Sequence, residues 1–571
     1  MLPGTAVNGI KYPKAYSDRL EIDIRNFSFN SYEDIYRKFI WNIPKYFNIG
    51  YAITDRAIAL GRGENVAIYY EDDEGRREVV RFSELKTRSD AFARSLLDNG
   101  VRKGDVVGVY LYPGPEVVIA LSAIYKIGAI ALSISPLIGT EGVEYRLKHS
   151  EAKAFVTDGT KKEAISIANR LNTIRAIYVV GSEPSGGKEL SFEDQTKAGS
   201  AEIAETESDE PAQLFYTSGS TGPPKGVLHA HRFLLGHIPT YQLYFEMAPR
   251  DGDVYWTNAD WGWIGALGDV VLPSLYFGMP VVAYRRTSGF SARRALEVMS
   301  QYGVTAAFIT PTALRIIRRE YPEPLKDFDI KLRALSTAGE SPGRELVLWA
   351  SEAFKASVNE FYGCTETNLV VTNNSIWAKP GSLGKPAPGH IVEVVDDKGN
   401  PLPPNAEGWI AVKLPDPVAF LGYFKNPEAT AAKIKNGWFL IGDMGLKDAE
   451  GYLWFKGRGD DVIKVSGYRI GPEEIEEVIT KHPAVLEAAV IGKPDPVRGT
   501  IVKAFVVLKP GIEPSDILAR EIQEFVKTRL AAYAYPREVE FVDQLPRTET
   551  GKLKRYELRR RELERGNVQS G

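Results

Sequence analysis

Apolar and polar residues alternate along much of the chain in a way that predicts strands followed by helices. Between residues 60 and 315, short runs rich in valine, isoleucine and alanine precede segments with helical spacing. In the segment SELKTRSDAFARSLLDNG, Leu85, Phe92 and Leu96 fall on one helical face. Gly100 then supplies a stop signal. The alternation predicts an α/β fold whose layers contain much parallel sheet.

The pattern changes twice towards the C-terminus. From residue 381 to residue 455, closely spaced turns such as DDKGN and KNGW separate short strands such as WIAVKL, which is typical of a β subdomain. Beyond GRGDD, Pro472 begins a predicted helix, AVLEAAVIG and IVKAFVVLK are predicted strands, and a helix is predicted near residues 515–530. We therefore predict two domains: a large N-terminal domain over residues 1–459, with a β-rich part over residues 381–455, and a small α+β domain over residues 460–571.

Composition and charge exclude several classes. The 571 residues are 44% hydrophobic, enough for more than one core, and the net charge of -3 gives no reason to expect a nucleic-acid or membrane-surface partner. The longest apolar run, residues 117–134, is broken by Lys126 and Gly128, which predicts strand, helix and strand, not a membrane span. Cys364 is the only cysteine, so an internal disulfide is excluded. The first twenty residues lack a signal-peptide core, and we expect a cytoplasmic protein.

The segment YTSGSTGPPKG, residues 216–226, has the composition of a phosphate-binding loop. Three glycines, four serine or threonine residues and one lysine follow the apolar QLF, at a predicted strand end. Glycines let several backbone N–H groups face one anion, hydroxyls add donors, and the lysine adds positive charge. Lys225 is followed by Gly226, so this is not the usual P-loop. The predicted phosphate-binding residues are Thr217, Ser218, Gly219, Ser220, Thr221, Gly222 and Lys225.

This segment resembles the phosphate loop of the adenylate-forming superfamily, which includes acyl-CoA synthetases, luciferases and peptide-synthetase adenylation domains. Four more segments match that family's motifs in order: FYGCTETN (361–368), GWFLIGDMG (437–445), GRGDDVIKVSGYRI (457–470) and PRTETGKLKR (546–555). The resemblance covers most of the chain. It implies an AMP-forming acyl-CoA synthetase that activates a carboxylic acid with ATP and transfers the acyl group to coenzyme A.

The resemblance also implies roles in binding Mg-ATP. Glu366 would hold Mg2+ on the phosphates, a role for which a carboxylate suits a hard cation, and Thr365 would contact the phosphate or the adenylate. Asp443 would accept both ribose hydroxyls, and Arg458 would approach the same sugar. The remaining nucleotide-binding residues implied by the family pattern are Gly339, Glu340, Ser341, Glu360 and Tyr362.

Lys552 is the implied catalytic residue of the first step. Attack of a carboxylate on the α-phosphate brings two anions together, and a positive group bridging both lowers the repulsion. Arg469 is implied as a phosphate contact. A carboxylic acid is already ionised near neutral pH, so no general base is needed. We therefore assign no catalytic role to the histidines near the phosphate loop, which are His229, His231 and His237.

In the second step, the resemblance implies that the small, mobile C-terminal domain rotates about a hinge at Asp460 and closes the site with another face. Ser466 and Gly467 would then line the pantetheine tunnel, and Lys527 is also assigned to coenzyme A. PRTETGK resembles a context in which related synthetases are acylated on their catalytic lysine. A lysine acyltransferase and a deacylase acting on Lys552 are therefore candidate partners.

The acid is predicted to be larger than acetate. Acetate-specific relatives place a tryptophan immediately before the Q-T-E of the adenine motif, where this chain has Gly363, followed by Cys364 in place of the glutamine. Larger side chains also stand at the positions of Gly265 and Ala338. An acetyl group could not fill such a pocket. The predicted acyl pocket contains Trp263, Ile264, Gly265, Ala338 and Gly363, and candidate acids run from propionate to medium-chain, branched, hydroxy or aromatic acids.

Two other hypotheses about the function stay open at this point. One is a free-standing ligase that passes the acyl group to a carrier-protein thiol. The other is a non-catalytic nucleotide-binding protein on the same fold, against which the presence of Lys225, Glu366, Asp443, Asp460 and Lys552 weighs.

Overall fold

The computed structural model describes residues 22–217, 223–287, 289–459, 461, 463–465, 468–495, 499–529, 535–547 and 553–568. The described residues fall into two compact units. Unit 1 comprises the chain up to Val392 together with Val412–Gly437, and unit 2 comprises Glu393–Ala411 together with the chain from Trp438 onwards. The predicted domain boundary at residue 460 stays a prediction, and the proposed hinge, Asp460, lies outside the described residues.

The strands of the described chain are β1 (Val66–Asp72), β2 (Arg77–Arg81), β3 (Val106–Tyr110), β4 (Ile130–Ser133), β5 (Ala154–Asp158), β6 (Ala176–Val180), β7 (Glu189–Ser191), β8 (Pro211–Thr217), β9 (Lys225–Ala230), β10 (Tyr255–Thr257), β11 (Val281–Arg285), β12 (Ala306–Phe308), β13 (Ala334–Thr337), β14 (Ser357–Cys364), β15 (Thr367–Thr372), β16 (Lys385–Pro386), β17 (Val392–Val395), β18 (Glu407–Lys413), β19 (Gly422–Tyr423), β20 (Ile434–Lys435), β21 (Trp438–Lys447), β22 (Leu453–Arg458), β23 (Ile463–Val465), β24 (Tyr468–Ile470), β25 (Val485–Asp495), β26 (Gly499–Leu508) and β27 (Glu538–Phe541).

Its helices are α1 (Tyr32–Lys38), α2 (Ile49–Ile53), α3 (Asp55–Ala59), α4 (Phe82–Asp98), α5 (Pro115–Lys126), α6 (Thr140–Ser150), α7 (Lys162–Arg170), α8 (Phe192–Gln195), α9 (Phe233–Tyr244), α10 (Ile264–Ala266), α11 (Leu272–Tyr276), α12 (Ala292–Gln301), α13 (Pro311–Glu320), α14 (Arg344–Phe354), α15 (Pro427–Ala432), α16 (Pro472–Thr480), α17 (Asp516–Arg529) and α18 (Arg555–Val568). A π-helical turn, Leu267–Val271, connects α10 to α11.

Unit 1 contains two large sheets with parallel centres, which confirms the predicted α/β class. One has the order β16-β15-β14-β13-β12-β10-β11-β1-β2 and the other β19-β9-β8-β4-β3-β5-β6-β7. Pairings from β11 through β10, β12 and β13 to β14 are parallel, whereas β14–β15 and β8–β9 are antiparallel. Parallel neighbours bring their carboxyl ends to one edge of a sheet, which is where α/β proteins bind ligands.

The local sequence signals of unit 1 match its elements. Leu85, Phe92 and Leu96 are buried on α4, and Gly100 follows that helix with a φ of 81°. The apolar run of residues 117–134 forms most of α5 and the whole of β4 after β3, as its interrupted pattern predicts. Within the ranges that the structure describes, no helix has both the length and the apolar character that crossing a membrane requires.

Unit 2 contains the predicted small α+β arrangement. β25 pairs antiparallel with β26, which pairs parallel with β27. Helices α16 and α17 pack their apolar faces on this sheet through Ile475, Ile479 and Ile522, whose side chains are buried with Val490 and Val502. Pro472 is the first residue of α16, as predicted. A second sheet of the unit contains β21 and β22, an antiparallel pair.

Candidate functional site

Strands β8 and β9 hold the two ends of the predicted phosphate loop. They are antiparallel neighbours, and Thr217 and Lys225 are Cα partners in their register. The loop therefore leaves and re-enters the sheet at one place. Its residues Ser218, Gly219, Ser220, Thr221 and Gly222 lie outside the described residues.

Tyr423 connects Lys225 with Glu366. Its hydroxyl donates a hydrogen bond of 2.6 Å to Oε1 of Glu366, and Nζ of Lys225 lies 5.3 Å from the centre of its ring. Tyr423 belongs to β19, which pairs with β9 and so is fixed beside Lys225. The backbone N–H of Phe420 also donates to the carbonyl of Glu366 at 2.8 Å. A carboxylate and an ammonium group from distant segments are thus held against one tyrosine.

Buried histidines support this region through backbone contacts. Nε2 of His229 lies 2.8 Å from the carbonyl oxygen of Thr365, and burial lowers the pKa of His229 to about 3. Nδ1 of His231 accepts from the N–H of Ile49, and burial lowers its pKa to about 3 as well. Both rings are therefore neutral near pH 7. A neutral His229 donates to Thr365 and fixes the turn between β14 and β15.

The predicted adenine-binding residues follow the carboxyl end of β13 and lie along β14. Thr337 and Glu360 are partners in that parallel pair, and Gly339 follows with a φ of 93°. Burial raises the pKa of Glu360 to about 7, although its Oε2 accepts from the N–H of Gly381 at 3.0 Å. Oε1 of Glu340 accepts from the N–H of Thr312 at 2.8 Å.

The predicted acyl residues Trp263 and Ile264 line one cleft with Thr365. The other residues around that cleft are Ser133, Ile134, Ser135, Ile138, Arg146, Phe215, Tyr216 and Gly262. Ala338 is buried in the same large hydrophobic core as Ile264. A Cβ on Gly265 would lie 3.6 Å from Oδ2 of Asp269 and 3.6 Å from Cε1 of Phe308, so there is room for an added carbon.

Gly363 has a local role that its sequence position does not reveal. A Cβ there would lie 2.6 Å from the N atom of Leu369 and 2.8 Å from the carbonyl oxygen of Thr367. A side chain at this position therefore requires the turn between β14 and β15 to shift. The thiol of the next residue, Cys364, lies 3.4 Å from the hydroxyl oxygen of Thr367. The assignment of Gly363 to an acyl pocket stays a prediction.

In unit 2, the predicted ribose-binding residues face each other across a strand pair. Asp443 on β21 and Arg458 on β22 are Cα partners. Nε of Arg458 lies 3.7 Å from Oδ1 of Asp443, and the Asp443 side chain is only 14% exposed. The two residues can therefore approach one ligand from adjacent strands.

The remaining predicted residues of unit 2 are only partly described. Nζ of Lys527, on α17, pairs with Glu524 at 3.0 Å. The backbone of Arg469 pairs with Lys464 in the β23–β24 hairpin. Ser466, Gly467 and Lys552 lie outside the described residues. Their assigned roles stay predictions.

Several residues of this region are not among those predicted from the sequence. Tyr423 has no spacing relation to Glu366, which lies 57 positions away. Asn368, at the end of the recognised FYGCTETN motif, donates to Asp269. Asp269 follows Gly265 by four residues, a helical spacing that could have placed its carboxyl beside the predicted pocket.

Comparisons with known proteins agree with this geometry. A family model described as AMP-binding enzyme matches residues 56–424, and one described as AMP-binding enzyme C-terminal domain matches residues 474–552. Acetyl-coenzyme A synthetase of Bacillus subtilis is 37% identical over 551 residues, covering 93% of this chain and 95% of the relative. The mitochondrial acyl-coenzyme A synthetase ACSM3 of Rattus norvegicus is 35% identical over 94% of both chains.

Solved structures of an acyl-CoA synthetase and of a CoA ligase also align with this chain over most of its length. The anthranilate CoA ligase AuaEII, in complex with anthranoyl-AMP, aligns with a TM-score of 0.81 and 31% identity, over 92% of this chain and 99% of that one. An acyl-CoA synthetase of Brucella canis aligns with a TM-score of 0.71 and 31% identity, over 94% of this chain and 100% of that one.

Proposed function

Because this chain belongs to the family of AMP-binding enzymes, we propose that it joins a carboxylic acid larger than acetate to coenzyme A. The protein is an AMP-forming acid–coenzyme A ligase of the adenylate-forming superfamily. The geometric observation that supports the proposal is the single cleft lined by Thr365, Trp263 and Ile264. A residue that we assign to the nucleotide and two that we assign to the acyl group thus line the same space. Its relatives do not favour a carrier-protein ligase or a non-catalytic nucleotide-binding protein.

In the first step, a carboxylate oxygen of the acid attacks the α-phosphorus of ATP, and the bond to pyrophosphate breaks. In our assignment, Lys225 and the loop after β8 bind the outer phosphates, Asp443 and Arg458 bind the ribose, and Lys552 bridges the reacting carboxylate and phosphate. In the second step, the sulfur of coenzyme A attacks the acyl carbon. The acyl–phosphate bond breaks, AMP leaves and the thiol proton is released.

Glu366, with Tyr423 hydrogen-bonded to its carboxylate, is suited to bind a magnesium ion carried on the phosphates of ATP. Within the described ranges, no group of three or more His, Cys, Asp or Glu side chains could hold a metal by itself. One oriented carboxylate suits Mg2+, which takes few protein ligands and completes its shell with phosphate oxygens and water. When bound, the ion would neutralise the negative charge that develops on the leaving pyrophosphate. Glu366 would hold the ion, and Tyr423 would orient Glu366.

Glu366→Gln and Tyr423→Phe test this assignment. We expect Tyr423→Phe to raise the Mg2+ concentration needed for half-maximal pyrophosphate release by about 10- to 100-fold, because a lost partner of a metal ligand weakens metal affinity by that amount. Glu366→Gln removes the charge itself and should have the larger effect. Magnesium titration of acid-dependent pyrophosphate release measures both.

Phe420 donates its backbone N–H to the carbonyl of Glu366, so a substitution at Phe420 is not a suitable control. Tyr36→Phe is matched to Tyr423→Phe, since the Tyr36 hydroxyl donates to the carbonyl of His390 at 2.9 Å and not to a carboxylate. It should leave the Mg2+ dependence unchanged. Equal Mg2+ dependence in wild type, Glu366→Gln and Tyr423→Phe would rule out magnesium binding at Glu366.

The preference for an acid beyond acetate rests on the space beside Gly265 and on the small side chain of Ala338. A methylene that fits an apolar pocket contributes about 0.8 kcal/mol, or roughly fourfold in kcat/KM. We expect kcat/KM to rise from acetate through propionate to butyrate. Gly265→Val should fill the space and shift the preference back towards acetate. Pyrophosphate release across acids from acetate to octanoate, with benzoate and hydroxy acids, measures this in the presence and absence of coenzyme A.

Turnover that depends on coenzyme A and favours acids beyond acetate is the expected result. An acetate preference in the wild type, or a Gly265→Val variant with an unchanged chain-length profile, would contradict the proposed acid. Pyrophosphate release indifferent to coenzyme A would contradict the proposed acceptor.

Two further parts of the proposal concern the setting of the enzyme. A short- to medium-chain acid would place it in fatty-acid metabolism, in the cytoplasm. Acylation of Lys552 by a lysine acyltransferase would remove the charge that the first step needs, and a deacylase would restore it. Mass spectrometry of protein inactivated by acylation should find the modification on Lys552.

A further inference from the structure

Asp269 is a buried carboxyl group beside the proposed acyl pocket. It lies in the π-helical turn that follows α10, and its side chain is 2% exposed. A Cβ built on Gly265 would meet Oδ2 of Asp269 and the ring of Phe308 at ordinary van der Waals distance. The oxygen therefore borders a space that is wide enough for at least one carbon atom.

Among the described residues, only one of the two carboxyl oxygens of Asp269, Oδ1, takes part in a hydrogen bond. Nδ2 of Asn368 donates both to Oδ1 of Asp269 and to Nε2 of His237, the latter at 3.1 Å. Nδ1 of His237 donates to the carbonyl of Phe233 at 2.6 Å, which leaves the Nε2 lone pair free to accept. Each Asn368 hydrogen thus has one acceptor. Among the described residues, nothing hydrogen-bonds to Oδ2 of Asp269.

The charge state follows from the same surroundings. Burial raises the pKa of Asp269 well above its usual range, and burial lowers the pKa of His237 to about 4, so the ring 3.8 Å away carries no charge near pH 7. Burial therefore favours the neutral form of Asp269 over the carboxylate. Because Oδ1 accepts from Asn368, the proton belongs on Oδ2, which becomes a buried donor facing the space beside Gly265.

We infer that Asp269 selects an acid whose chain carries a hydroxyl group, which accepts a hydrogen bond from Oδ2 inside the acyl pocket. This inference rests on the proposed function, whose acyl pocket it refines. A site built to hydrogen-bond a substrate discriminates strongly against the analogue that lacks the group, because the buried polar atom is then left unpaired. A cationic amino group gains no charge partner from a neutral acid, and a hydrocarbon chain leaves Oδ2 unsatisfied.

The test compares hydroxy acids with their parent acids. The substrates are butyrate, 3-hydroxybutyrate, 4-hydroxybutyrate, 4-aminobutyrate, pentanoate and 5-hydroxypentanoate, assayed by coenzyme A-dependent pyrophosphate release. We expect the wild type to favour one hydroxy acid over its parent by at least about tenfold in kcat/KM. Asp269→Leu should abolish this preference and improve the parent acid. Asp269→Asn should keep part of it, because an amide N–H can still donate.

Tyr244→Phe is the matched control. The Tyr244 hydroxyl donates to the backbone carbonyl of Asp269 and does not touch its carboxyl group. The ratio of hydroxy to parent acid should therefore stay at the wild-type value in this variant. Should Asp269→Leu fail to fold, the nearly isosteric Asp269→Asn still tests the inference, because its ratio of hydroxy to parent acid should fall below the wild-type value.

Equal turnover of hydroxy and parent acids by the wild type would overturn this inference and leave the proposed function standing. A hydroxy-acid preference that persists in Asp269→Leu, or that stays at the full wild-type value in Asp269→Asn, would also overturn it. Absence of pyrophosphate release with every acid would overturn the proposed function and this inference together.

Discussion

Replacing Lys552 by alanine is expected to lower the rate of acid-dependent pyrophosphate release by about 100- to 1,000-fold, the loss that follows removal of one preorganised charge donor. The attacking carboxylate and the α-phosphate are both anions, and no other residue is assigned to bridge them. Conversion of preformed acyl-adenylate and coenzyme A into thioester should stay near the wild-type rate, because that step involves a neutral carbonyl and a thiol. Single-turnover measurements of the two steps separate these effects.

Lys554→Ala is the matched control for this prediction. Nζ of Lys554 pairs with Glu557 at 3.1 Å on α18, two positions beyond Lys552. Its replacement removes the same charge from the same segment and should leave both steps unaffected. Lys552→Arg retains the charge and should recover part of the first step. Equal losses in Lys552→Ala and Lys554→Ala, or an equal loss in both steps, would contradict the assigned role.

Sequence patterns predicted the parts of this fold that depend on local information. Leu85, Phe92 and Leu96 lie on one face of α4, and burial of that face alone removes their side chains from water. The predicted strands and helices around Pro472 are also present, because caps, turns and alternation act within a few residues. Asp443 and Arg458, fifteen positions apart in sequence, become register partners because a tight β21–β22 hairpin connects them.

Contacts between distant segments could not be predicted in this way. The bond from Asn368 to Asp269 joins residues 99 positions apart, and a fully buried aspartate is an exception to the usual surface position of that residue. Neither periodicity nor motif matching reports such a pair. Gly363 illustrates a different limit, since a missing side chain looks like an open pocket in a motif, whereas the turn beside Leu369 needs that glycine for close backbone approach.

A network of charged side chains in unit 2 is a second place where a single substitution should have a large effect. Arg555, the first residue of α18, donates to both carboxylate oxygens of Glu476 on α16, at 3.0 and 2.7 Å. It also lies 3.0 Å from Glu473 and 3.4 Å from Asp461. The Arg555 side chain is 11% exposed and that of Glu476 is 13% exposed. One guanidinium group thus contacts three carboxylates in a mostly buried position.

Arg555→Met should lower the free energy of unfolding of this unit by about 3–5 kcal/mol near pH 8, because it removes the cation that pairs with the buried carboxylates of Glu473 and Glu476. Burial already raises the pKa of Glu473, and loss of the arginine raises it further. A carboxyl whose pKa is higher in the folded state stabilises the fold at low pH and loses that contribution as the pH rises through the raised value. The decrease in the free energy of unfolding caused by Arg555→Met should therefore be smaller near pH 5.5 than near pH 8.

Hydrogen exchange of peptides from α16 and α18, followed by mass spectrometry at both pH values, measures this loss locally. Arg560→Met is the matched control on α18, because Arg560 and Glu564 are each 66% exposed at a separation of 3.5 Å. Such a surface pair contributes about 0–1 kcal/mol, so its loss should be small at either pH. If Arg555→Met behaves like Arg560→Met, or loses more stability near pH 5.5 than near pH 8, the network does not hold α18 against α16. If the pH dependence has the expected sign, Arg555 stabilises the helix that begins three residues after Lys552, and so supports the segment assigned to the first chemical step.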